Sequence, residues 1–94
     1  MSLEPSYAPE VMTQLEKIEH DTTRERLWEA ICDAIDLICD YPESGQARRQ
    51  AWRRRDGGPV WQVALRNTGE DEDWVVLWFR NHDEAKIVYI GPAI

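Results

Sequence analysis

At Pro42 the period of the apolar residues changes from that of a helix to that of a strand, and this switch narrows the choice of fold. Ahead of it, Leu27, Trp28, Ile31, Cys32, Ala34, Ile35, Ile38 and Cys39 form one wide apolar stripe. Glu25, Glu29, Asp33, Asp36 and Asp40 recur every three or four residues on the opposite side. This is the pattern of a helix with one face on a core, expected over residues 23–40. Pro42 stops it, because the residue before a proline is driven out of helical geometry. A capping box is expected at Thr22-Thr23-Arg24-Glu25, with the Thr22 hydroxyl capping and Glu25 reaching back. An earlier helix is expected from Pro9, a residue suited to a first turn, through Val11, Met12, Leu15 and Ile18 to His20 and Asp21.

Beyond Pro42 the spacing is that of strands. Residues 43–50 are polar and read as loop or one helical turn, and residues 51–55 as a short strand or extended edge. Asp56-Gly57-Gly58-Pro59 is a turn signal. In the next segment Trp61, Val63 and Leu65 alternate with Gln62, Ala64 and Arg66, as in a half-buried strand. Residues 74–79 are apolar throughout, which predicts a strand buried on both sides. Asn81-His82-Asp83-Glu84 turns the chain into a last strand, ended by Gly91-Pro92. Two N-terminal helices packed on an antiparallel sheet of three to four strands is the economical α+β solution, as one domain over residues 1–94. Trp61, Val63, Val76, Trp78, Ile31 and Ile35 are expected to share its core.

Ninety-four residues, 43% of them hydrophobic and five of them tryptophan, suffice for a modest packed core. No apolar run approaches the roughly 20 residues that span a bilayer, so no membrane role is expected. Residues 1–9 lack a basic region followed by an apolar stretch, so the cytoplasm is the expected location. Cys32 and Cys39 lie seven apart in a helical pattern. They stand roughly 10 Å apart along it, too far for a disulfide, and read as small buried residues.

Charge carries the functional signal. The chain has a formal net charge of −7, yet residues 41–66 hold six arginines against Glu43 and Asp56. A sign reversal confined to one segment marks either an anion-facing surface or a charged contact within the fold. Arg48, Arg49, Arg53, Arg54, Arg55, Arg66 and Arg80 can supply cations to RNA phosphate or to an acidic partner, and Trp52 or Trp61 can stack on a base. The plainer reading is that these arginines pair with the acidic helix faces or with the acidic run 70–73. His82 and Tyr89 are the candidate acid and base groups near the sheet, whereas His20 belongs to a helix end. The run 70–73 lacks the ligand spacing of a calcium loop and reads as a solvated hairpin tip. No zinc spacing, phosphate-cradling glycine loop or Ser/His/Asp set is present, so neither metal nor cofactor is expected. Trp52, Trp61, Trp74 and Trp78, with Phe79, crowd the strand half, and exposed aromatic patches often mark protein interfaces.

The order of these motifs resembles the RelE/ParE toxin superfamily of bacterial toxin–antitoxin systems. The residues that carry the likeness are Ala8-Pro9-Glu10 opening the first helix and Leu27, Ile31, Ala34, Ile35, Ile38 and Pro42 in and after the second. Gly58-Pro59-Val60-Trp61-Gln62-Val63-Ala64-Leu65 looks like the family's glycine-then-aromatic strand. Trp74-Val75-Val76-Leu77-Trp78 looks like its central strand, and Ile87-Val88-Tyr89-Ile90-Gly91 like its closing strand and glycine. The likeness covers roughly residues 8–92. It also implies a strand ahead of the first helix, where residues 1–7 show little strand pattern.

The chain departs from the family where chemistry is concerned. The arginine usual after the strand aromatic is Gln62, the one after the central-strand aromatic is Val75, and neither arginine nor tyrosine follows Gly91. The resemblance therefore implies a toxin-like component acting mainly through a protein partner, an antitoxin whose acidic segment meets Arg48 to Arg55. A weaker enzymatic version keeps RNA cleavage, with Arg53, Arg55, Arg66 and Arg80 on phosphate. The alternative is a catalytically inactive structural relative that self-associates as a homodimer through its tryptophans.

Overall fold

The computed structural model describes residues 2–93. The chain runs β1 (Glu4–Tyr7), α1 (Pro9–Glu19), α2 (Glu25–Asp40), β2 (Gln50–Arg53), β3 (Pro59–Ala64), β4 (Trp74–Asn81) and β5 (Glu84–Pro92). The strands form one sheet in the order β1-β5-β4-β3-β2. The α+β class is as expected. The sheet is larger than the three to four strands predicted, with five, and it is mixed, because β1 pairs parallel to β5 while the other pairs are antiparallel.

The extra strand is β1, and it owes its shape to its neighbour. Glu4 N–H donates to Asp83 O at 3.0 Å and Ala8 N–H to Ile87 O at 3.0 Å. Donors of this parity face β5, so the nitrogen of Pro5, which has no hydrogen to give, faces outward on a sheet edge, where a proline is tolerated.

Both helices pack on one face. Val11, Leu15 and Ile18 of α1 and Leu27, Ala30, Ile31, Ala34, Ile38 and Cys39 of α2 are buried. They meet Val63, Val76, Trp78, Ile87 and Ile90 of the sheet in one cluster. Of the six expected core residues, Ile31, Val63, Val76 and Trp78 are buried, while Ile35 and Trp61 pack partly buried against them. Met12 turns to solvent instead.

The capping box is replaced by another device. Thr22–Arg24 forms a short 3-10 helix, and α2 begins at Glu25. Asp21 is the cap: its carboxylate accepts from the Thr23 amide at 3.0 Å and the Thr23 hydroxyl at 2.6 Å. An ionised carboxylate is a stronger acceptor than the Thr22 hydroxyl, and an aspartate naturally closes a turn onto the residue two ahead.

The expectation that β4 is buried on both faces holds only in part. Val75 is 2% exposed, but Leu77 and Phe79 on the same face are half-buried, because no helix among the described residues covers that side.

Candidate partner-binding surface

The uncovered face is built by strand register. Trp52 of β2 stands opposite Val60 of β3, Gln62 opposite Leu77 of β4, and Leu77 opposite Tyr89 of β5. Phe79 stands opposite Lys86. Alternation puts all of these on the side away from the helices. Trp52 is 42% exposed and donates its indole N–H to Gln62 Oε1 at 3.2 Å. Tyr89 lies along the face: its hydroxyl donates to Pro92 O at 2.7 Å, and a Cβ at position 91 would come within 2.7 Å of that hydroxyl. Gly91 thus leaves the space in which the tyrosine lies down.

Arg54 borders this face. Its guanidinium carbon is 4.1 Å from the Phe79 ring centroid, a cation–π contact. Gly58 makes this fit, since a Cβ there would collide with the guanidinium. Arg54 Nε is 3.2 Å from Asp56 Oδ1, but the contact is Coulombic, because that nitrogen has no hydrogen-bond partner among the described residues. The Asp56 Oδ1 instead accepts the Gly58 amide at 2.9 Å.

The other arginines divide by what holds them. Arg48 serves the core side: its Nε donates to Pro42 O at 2.7 Å and its guanidinium lies 4.1 Å from the Trp61 ring centroid. Trp61 in turn meets Trp78 at 4.9 Å between centroids. Arg53 donates to Gly57 O at 3.2 Å. Arg80 donates to His82 O at 3.0 Å and lies 3.8 Å from Glu43. With Arg53 opposite Pro59 and Trp61 opposite Trp78, Arg53 and Arg80 lie toward the same end of the sheet. Arg49, Arg55 and Arg66 are exposed and have no ion pair among the described residues.

None of these arginines reaches the acidic helix faces or the run 70–73 among the described residues. The arginine that meets that run is Arg24, which the sequence did not single out. Its Nη2 donates to Glu70 Oε1 at 2.6 Å, and its guanidinium carbon is 5.3 Å from the Trp74 centroid. The hydrogen bond to Glu70 raises the Arg24 pKa. The partners are 46 residues apart in sequence, and only the bounding acidic run hinted that a cation would be needed.

The two candidate acid–base groups do not converge. His82 sits exposed at the β4–β5 turn with φ 57°, while Tyr89 lies toward the other end of β5. Seven residues of extended chain separate them by about 20 Å. Arg66, past the end of β3, is similarly far from Arg53 and Arg80. The two cysteines are free, and burial pushes both thiol pKa values up. Among the described residues no three His, Cys, Asp or Glu side chains gather to hold a metal ion, and no helix is long and apolar enough to cross a membrane. No family model matches the chain, and no curated protein or solved structure matches it.

Proposed function

We propose that this chain is a toxin-like component of a toxin–antitoxin pair, with a RelE/ParE-like fold, and that it acts mainly by binding a protein partner. The observation that carries the reading is the uncovered sheet face, where Trp52, Leu77, Phe79 and Tyr89 stand with no helix over them. Partly exposed aromatic surface with arginine beside it is typical of interface anchors. Arg55, just past β2, has no ion pair among the described residues, which suits an acidic segment. The three stretches that resemble the family fall on the adjacent strands β3, β4 and β5, and β1 supplies a strand ahead of the first helix. RNA cleavage is the weaker version, because the two acid–base candidates, His82 and Tyr89, lie at opposite ends of β5.

The test is genetic and physical together. Induced expression of this chain alone should arrest growth of its host. Co-expression of the protein encoded by the neighbouring reading frame should relieve the arrest and co-purify with the chain. Normal growth at high soluble expression would remove the toxin reading for that host.

A further inference from the structure

The sheet has a second unfinished feature, on its edge rather than its face. β2 begins only at Gln50, opposite Gln62, so β3 runs on past that pair with no strand alongside among the described residues. The Leu65 amide donates to Trp74 O at 2.9 Å. The ladder alternates, so Ala64 turns its N–H and C=O away from β4, toward the side where β2 has not yet begun. An open groove of about 540 Å³ occupies that side. Ala34 and Leu37 of α2 line one side, the edge of β3 another, and Gly45 and Gln46 of the loop before β2 a third, with Arg49 and Arg66 also in the lining.

We infer that this groove takes an extended acidic segment of a protein partner, added as a strand to the free edge of β3 at Ala64. Backbone hydrogen bonds to Ala64 supply the pairing, as in other cases of strand addition. Alternate side chains of the segment meet Ala34 and Leu37. Arg49 and Arg66 hold its carboxylates, since both are exposed and neither has an acidic partner among the described residues. Asp33, the one acid in the groove wall, sets the register: the residue facing it must be neutral or basic. The inference rests on the partner-binding reading and adds where one segment lies and what composition it has.

The probe is a synthetic peptide of about eight residues that alternates valine and glutamate. It is titrated into the isotope-labelled chain while amide shifts are followed. Shifts are expected at residues 63–66 and 33–37, with new exchange protection at the Ala64 amide. Ala64→Pro should leave the fold intact, because that nitrogen serves no native strand pair, and should weaken binding about tenfold or more. Arg49→Glu with Arg66→Glu should weaken it equally and favour a valine–lysine peptide. This charge reversal carries the test if the proline variant fails to fold. Wild-type affinity in the charge-reversed variant overturns the inference. So do shifts confined to Trp52, Phe79 and Tyr89, which would keep a protein partner but seat it on the sheet face. Absence of any shift at millimolar peptide overturns it too, while the growth-arrest experiment judges the toxin reading separately.

Discussion

The Trp78 indole N–H donates to the Ala47 carbonyl at 2.8 Å, joining the buried middle of β4 to the loop that carries Arg48 and Arg49. Trp78 is wholly buried, and so is Ala47. Trp78→Phe should leave a void and an unpaired buried carbonyl. The expected loss is about 2–5 kcal/mol, read from urea denaturation. Loosening of the loop should also raise amide exchange at residues 44–49. A midpoint unchanged from wild type would mean that water replaces the bond at no cost.

Burial ranks the isoleucines of α2. Ile31 has no exposed surface, whereas Ile35 is only partly buried against the cluster. Ile31→Ala should lose about 2–5 kcal/mol, and Ile35→Ala clearly less. Chemical denaturation of the two variants side by side checks the order, and a larger loss at Ile35 would contradict the packing described.

Arg24 and Glu70 tie the start of α2 to the β3–β4 connection, with side chains about a third and a fifth exposed. A double-mutant cycle on Arg24→Ala and Glu70→Ala should give a coupling of about 1 kcal/mol. Raising the salt concentration should reduce it. The Arg24→Ala single variant should lose more than the coupling, because it also uncovers Trp74. A coupling of zero at low salt would show the pair to be incidental.

Much of the fold was legible because it depends on local period. The stripe of α2, the turn at Asp56 to Pro59 and the alternation of β3 are local facts, and the structure follows them. β1 was not legible: Glu-Pro-Ser-Tyr has no alternation and contains a proline, and only pairing with β5 makes it a strand. The charge reversal marked a segment, but not the state of each arginine in it. Arg48 is spent on Trp61 and Arg54 on Phe79, contacts that need the sheet register to be known. The groove beside Ala64 was equally hidden, because it exists only through the late start of β2 at Gln50.

Alkaline pH should destabilise the chain through its thiols. Cys39 is pushed up by burial first, then by Asp40 and Asp36, and Cys32 by burial first, then by Asp36. A folded-state pKa above the unfolded one contributes stability that is full below the unfolded value, about 8.5, and lost as pH rises through the folded value. The thermal midpoint should therefore hold level near neutrality and decline above about pH 8.5. Tyr7, raised by its own burial and then by both cysteines, extends the decline to higher pH. In Cys32→Ala with Cys39→Ala the slope should flatten, whatever the absolute stability. An equally steep decline in that variant would assign the effect elsewhere.

The isolated chain should show no measurable RNA affinity at physiological salt. Its net charge of −7 repels a polyanion at range, and the basic segment acts only within about a Debye length. On the uncovered face Gln62 and Val75 bring no cation, and Val75 is buried. Arg48 and Arg54 are already held by protein partners, so the cluster offers fewer free cations than its composition suggests. Single-stranded RNA binding is checked by fluorescence anisotropy on wild type and on Arg53→Ala, Arg54→Ala, Arg55→Ala combined. The triple variant should lose some stability through Arg54, while Arg55 alone should change it by less than about 0.5 kcal/mol. A wild-type dissociation constant below about 1 μM, roughly −8 kcal/mol, would reverse this view. It would do so most clearly if each lost arginine flattened the salt dependence by about one unit of slope, the mark of a phosphate contact.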